Sequence, residues 1–327
     1  MKRKFLVLPI VAVAAVVALS LYWSHWIQEQ RASERAETRA LITKRSSNRL
    51  RAAHPAPLPG AKRIETLHYA ITTTADASQT ARVAEAVEAL YTAYSAFFPM
   101  RDAPIGDQEK LKLTLYAHQA QFKANNYSIP WAEAYYLRPV CYAYYARGEE
   151  NPYHWMVHEA THQLNAEVSG FKKARWVDEG LATYFGSSRI EEGGLVPGKV
   201  DPNTYPIWWL PNSGLTGSLD ADIEAGRWIP IRAIISGENA PNINSNVNRY
   251  YIQYWSLTHF LFHYDNGRYA DAYKRLILEG GSLENFQKMI GPADRIEYEW
   301  YRYLQTKIQD LMPRNSDEES TTIEWSR

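Results

Sequence analysis

Tyr153 to Gly186 reads YHWMVHEATHQLNAEVSGFKKARWVDEGLATYFG. An α-helix turns once per 3.6 residues, so His158 and His162 lie one above the other on a single face. Two neutral imidazoles at that spacing can hold one Zn²⁺. Glu159 falls on the edge of the same face, where a general base can touch a water at the metal without being a ligand. A zinc site needs a third protein ligand and keeps its fourth position open. Glu179 is the best candidate. Ser169-Gly170 reads as a helix stop, and a second helix beginning near Trp176 brings Glu179 back under the two histidines. The pentad sits inside a helical apolar repeat of Met156, Val157, Ala160, Leu164 and Val168. The competing reading is a surface helix with two solvated histidines, followed by an unrelated acidic helix start.

His-Glu-Ala-Thr-His followed by Trp-Val-Asp-Glu-Gly-Leu-Ala-Thr-Tyr-Phe resembles the gluzincin branch of the zincin metallopeptidases. The resemblance implies that His158, His162 and Glu179 bind one Zn²⁺ per chain and that Glu159 is catalytic. The interval between His162 and Glu179 is shorter than in thermolysin-like and aminopeptidase members. The chain looks more like bacterial gluzincin-like domains whose substrates are unknown. Further on, Tyr251-x-Gln253-x-Trp255-x-Leu257 resembles the helix after the zinc site in such domains, where a tyrosine donates to the oxyanion. Tyr251 is the first choice for that role and Tyr250 the second, with aromatic packing as the plain alternative. The resemblance implies a zincin-like α+β domain with a helical C-terminal half. It also implies a strand before Tyr153 that lies along the cleft, where ordinary sheet is an equal reading.

Nearer the pentad, His154 precedes His158 by one turn, as a fourth ligand or an outer partner, ranked below Glu179. Asp178 either orients a ligand histidine or caps its helix. His259 and His263 also stand four apart, but Phe260 follows the first and no base or third ligand is evident. They read as core or surface histidines.

The 327-residue chain carries 36 Lys+Arg against 36 Asp+Glu, so no global charge points to nucleic acid. Its 11 Trp and 23 Tyr suit a carbohydrate or peptide cleft, or simply a core. Cys141 is the only cysteine, so an intrachain disulfide is impossible and the residue reads as buried. Residues 1–4 are a basic start, and residues 5–23 form an apolar run near the ~20 residues that span a bilayer. An uncleaved anchor with the remainder outside the cytoplasm is favoured, because Tyr22, Trp23 and Trp26 resemble an interface belt. Secretion after signal cleavage is the alternative. Residues 24–60 read as a polar stalk and Pro-rich linker, 61–313 as the catalytic domain and 314–327 as a disordered tail.

Within the domain, Ile64 to Ile71 alternates as a strand and Ser78 to Phe98 has helical spacing. Leu111 to Tyr116 is a second strand, and His118 opens a short helix. Residues 133–146 read as a strand pair with Pro139 at an edge or turn. Residues 189–248 read as a long irregular wall or lid, with Trp208, Trp209 and Trp228 lining a cleft or packing the segment down. Arg249 to Phe262 is an apolar helix, and three helices follow between residues 268 and 311.

The expected activity is therefore zinc-dependent hydrolysis of a peptide or protein substrate by a membrane-anchored or exported enzyme. Two other classes remain: an envelope binding or assembly module with a non-catalytic zinc site, and a zinc amidase or esterase acting on a non-peptide envelope polymer.

Overall fold

The computed structural model describes residues 55, 58–98, 110–126, 132–171, 174–192 and 194–311. The chain divides into two units, Met1–Ala56 and Pro57–Arg327, and nearly all the described residues belong to the second. The expected basic start, anchor and stalk, and the expected tail after residue 313, lie outside the described residues. No described helix is long and apolar enough to cross a membrane.

The second unit is mixed α+β. Strands β1 (Lys62–Glu65), β2 (Tyr69–Thr73), β3 (Leu111–Tyr116), β4 (Ala134–Leu137) and β5 (Val140–Tyr144) form one sheet in the order β1-β2-β3-β5-β4. The β2, β3 and β5 strands run parallel, and the two outer strands are antiparallel to their neighbours. Helix α1 (Ala77–Phe97) makes the crossover from β2 to β3. Its Val83, Val87, Leu90 and Tyr94 are buried, as a 3.6-residue period requires. Asp76 closes its N-terminus in a reciprocal capping box with Gln79. A short helix, α2 (Gln119–Asn125), is capped by His118.

The single strand expected over residues 64–71 is two strands joined by a turn at Thr66–His68. Thr66 makes the turn: its hydroxyl donates to the Tyr69 carbonyl and accepts from the Tyr69 amide. A Ser/Thr side chain that mimics a backbone turn leaves no Gly or Pro signal.

Helix α3 (His154–Gln163) crosses the sheet on the β4–β5 side and runs on into one π-helical turn, Leu164–Val168. Gln163 ties the helix to the strand ends by donating to the carbonyls of Pro139 and Lys112. After Gly170, which adopts a left-handed φ of 64°, the chain reverses into α4 (Arg175–Gly186).

The region expected to be irregular is more ordered than its composition suggests. It holds an antiparallel hairpin, β6 (Ser188–Glu191) with β7 (Gly194–Val200), a 3₁₀ turn at Ile207–Ser213, and helices α5 (Leu219–Glu224) and α6 (Ile231–Ser236). These pieces are too short to carry a periodic signal of their own. Helices α7 (Val247–His263), α8 (Ala270–Leu278), α9 (Leu283–Met289) and α10 (Ala293–Leu311) complete the helical half.

Two glycines set how closely the central helices approach. A Cβ on Gly186 would stand 3.2 Å from the Cβ of His158, and one on Gly180 would stand 2.3 Å from Thr258 Oγ1 and 3.0 Å from the Tyr254 carbonyl. The first brings α4 onto α3, and the second brings α7 onto α4. Gly180→Ala must therefore push α7 away, and overpacking of this kind costs about 1–3 kcal/mol. The expected result is a lower denaturant midpoint at unchanged slope; an unchanged midpoint would show that this approach is not tight.

Candidate metal centre and cleft

Helices α3 and α4 run antiparallel, so the second half of α3 faces the first half of α4. Three side chains meet there. His158 Nε2 and His162 Nε2 are 3.3 Å apart. The Glu179 Oε2 atom lies 3.7 Å from His158 Nε2 and 3.5 Å from His162 Nε2. One donor atom from each of the three lies within 4.8 Å of the others.

These separations test whether a metal fits. Tetrahedral ligands on ~2.0–2.1 Å bonds stand roughly 3.3–3.4 Å apart, close to the three distances observed. Glu179 Oε2 is buried without a hydrogen bond, which is costly unless another partner takes the lone pair. Two imidazoles and a carboxylate are a borderline N/O donor set suited to Zn²⁺. The residues fit the ion.

Asp178 does not cap its helix, which begins after Ala174 without a side-chain cap, but faces His162. Its Oδ1 lies 3.2 Å from His162 Nδ1 and accepts from Asn165 Nδ2 at 2.9 Å. Asn165 Oδ1 in turn accepts from the Tyr94 hydroxyl at 2.8 Å. This chain of contacts runs from α1 through the π-turn to the outer side of His162, where a partner of a metal-binding histidine would stand. Asn165 and Tyr94 escaped the sequence reading. Tyr94 stands 71 residues away from Asn165 in sequence, and Asn165 becomes recognisable only once the helix is known to continue past Gln163.

The charges of the cluster are interdependent. Burial, and after it the nearby His162, pulls His158 down to about 3. Burial also opposes charge on His162, but Glu179 and Asp178 outweigh it and raise His162 well above the usual histidine range. Against burial, the His162 charge holds Glu179 below the ordinary carboxylate value. A cation bound here would face the same carboxylates that favour the charged form of His162. Glu159 is 8% exposed. Burial raises it to about 7, partly offset by His162 and by a hydrogen bond from the Tyr136 backbone on β4.

Tyr251 stands beside this group, its ring near-parallel to that of His158 with centroids 6.3 Å apart. Burial, then the carboxylates of Glu179 and Glu159, hold its hydroxyl protonated well above the usual range. Tyr250, the second choice, is turned away and donates to the Pro241 carbonyl.

His154 does not join the cluster. Its Nδ1 faces the Asn151 carbonyl at 2.8 Å and Glu149 at 3.3 Å, so the ring is directed back toward the chain preceding α3. Burial lowers it to about 4. His259 contacts the Tyr303 hydroxyl and the Gly198 carbonyl, and His263 the Tyr184 hydroxyl. Of this pair, expected in the core or at the surface, His259 is buried and His263 is exposed. Cys141 is buried, and its thiol donates to the Glu159 carbonyl.

A cleft of about 520 Å³ opens over His158, Glu159 and Tyr251. Trp208 and Trp209 line it, and Trp208 is 44% exposed. Trp228 does not. It is buried against Trp300 and Tyr301, and its indole donates to Glu297.

Residues 155–278 match a family described as a protein of unknown function, DUF1570. That span contains His158, Glu159, His162, Asp178, Glu179 and Tyr251. A search of curated proteins finds no match.

Partners of metal-binding histidines typically contribute 10–100-fold to metal affinity. Asp178→Asn is therefore expected to weaken zinc binding by roughly that factor while the fold persists, as read by chelator competition. Unchanged affinity would remove Asp178 from the orienting role.

Proposed function

We propose that this chain is a zinc-dependent hydrolase, a gluzincin-like metallopeptidase with a zincin-like arrangement of sheet and helices. The observation that carries the reading is the convergence of His158, His162 and Glu179, with Glu159 beside them at the floor of an open cleft. A structural site has no need of a base next to its ligands. The match to an uncharacterised family neither favours nor opposes the proposal.

Zn²⁺ in this position supplies a Lewis acid that polarises a carbonyl and lowers the pKa of water to ~7. The residues supply the rest. Glu159, buried beside the cluster, accepts a proton from the attacking water and passes it to the leaving amine. Tyr251, kept protonated, donates a hydrogen bond to the developing oxyanion. Strand β4 pairs only with β5 among the described residues, and its Tyr136 backbone hydrogen-bonds to Glu159. Ala134 on that strand lines the cleft.

Glu159→Gln is expected to retain zinc and to lose about 10²–10⁴-fold in turnover. Wild-type-like turnover would refute its role. Tyr251→Phe is expected to lose about 10²–10³-fold, measured at saturating substrate. The substrate class is tested by offering peptides in parallel with glycan and peptidoglycan fragments. Cleavage of the peptides supports a peptidase; cleavage confined to the polymer fragments moves the assignment to an amidase or esterase.

A further inference from the structure

The cleft is chemically asymmetric. Of the ionisable groups that line it, Glu133, Glu149 and Glu159 are acidic, and no described Lys or Arg is among them. Glu133 is already satisfied: it pairs with Lys123 at 2.8 Å and accepts from Gln119 and Tyr144. Glu149 is not. Among the described residues its carboxylate has one polar contact, His154 Nδ1 at 3.3 Å. That histidine is buried and held neutral at physiological pH, so it brings no charge. The Glu149 side chain is 36% exposed, accessible from the cleft yet partly withdrawn from water.

An aromatic wall adjoins Glu149. Trp155 and Tyr205 stack with centroids 5.9 Å apart, and Trp208 stands edge-on to both at 6.5 and 6.0 Å. The wall continues through Tyr205 to Tyr251 at 5.6 Å, and so to the metal cluster. A carboxylate with no cation beside it among the described residues, next to crossed indole and phenol rings, is an arrangement that attracts a positive charge, through the ion pair and through the ring quadrupoles.

We propose that this end of the cleft is a subsite for a positively charged substrate group, an ammonium or a guanidinium, paired with Glu149 and laid against Trp155, Tyr205 and Trp208. The inference deepens the hydrolase reading and rests on this cleft being the substrate site. Glu149 and the aromatic wall act as specificity determinants and take no part in bond breaking. A neutral side chain at the same place would leave the Glu149 carboxylate without a counter-charge, and an acidic one would be repelled.

Binding can be read without turnover in full-length Glu159→Gln protein, by calorimetry or by tryptophan fluorescence. The probes are N-acetylated, C-amidated heptapeptides differing only at the central residue: Lys, Arg, Nε-acetyl-lysine or norleucine. The Lys or Arg peptide is expected to bind roughly ten-fold tighter than the two neutral ones. Adding Glu149→Gln should abolish that advantage while leaving the norleucine peptide's affinity unchanged, which also reports that the fold is intact. Trp208→Ala, at an exposed position, should reduce the same advantage. Equal binding of charged and neutral peptides, an advantage that survives Glu149→Gln, or no binding of any peptide would overturn the inference. Charge discrimination in a protein whose wild type hydrolyses nothing would overturn the hydrolase reading and leave the subsite standing.

Discussion

The structure depends on the close antiparallel packing of His154–Gln163 against Arg175–Gly186. Histidines four residues apart on one helix give two ligands but cannot give a third at the same point in space. The third has to come from another element held at fixed depth and register. Gly186 permits that depth, because any side chain there would meet the Cβ of His158. The left-handed Gly170 helps to turn the chain back on itself. On the far side Gly180 lets Val247–His263 approach equally closely, which carries Tyr251 to the same cluster. Three helices from different parts of the chain thus deliver two imidazoles, a carboxylate and a phenol to one point.

Burying that many ionisable groups is costly unless each is paired, and the surrounding shell is arranged accordingly. Asp178 faces His162, Asn165 holds Asp178, and the Tyr94 hydroxyl holds Asn165. Glu159 is the exception. Its partners are few, and burial raises it to about 7. The cluster is therefore built with one group suited to exchanging protons and several suited to holding position. The cleft repeats the contrast on a larger scale: Glu133 is engaged with Lys123, Gln119 and Tyr144, whereas Glu149 has no cation beside it among the described residues.

Much of this was legible in the sequence, and what was missed has physical causes. That His158 and His162 share one face follows from helical spacing alone, whereas bringing Glu179 to them takes a second helix. The long elements were equally readable, because α1 and α7 each present several turns of periodic apolar residues. The turn at Thr66 was hidden because a hydroxyl does there what Gly or Pro usually does. The hairpin and short helices between residues 188 and 236 were hidden because each is shorter than the window in which a period can be recognised. The three tryptophans of that region divided in a way that composition cannot reveal: Trp208 and Trp209 line the cleft, while Trp228 is buried by the distant Glu297 and Trp300. The place of Asn165 depends on a π-helical turn that no local pattern announces. The His154 ring points away from the cluster because of its contacts with Asn151 and Glu149, and helical spacing is blind to such contacts.

The central claim is that His158, His162 and Glu179 form a single metal site, and metal content by mass spectrometry on the purified full-length chain tests it most directly. The wild type should carry about one zinc per chain, in keeping with a three-ligand site, and both His158→Ala and Glu179→Ala should lose it or bind it far more weakly. A folded wild type that contains no zinc and takes up none when it is added would contradict the account.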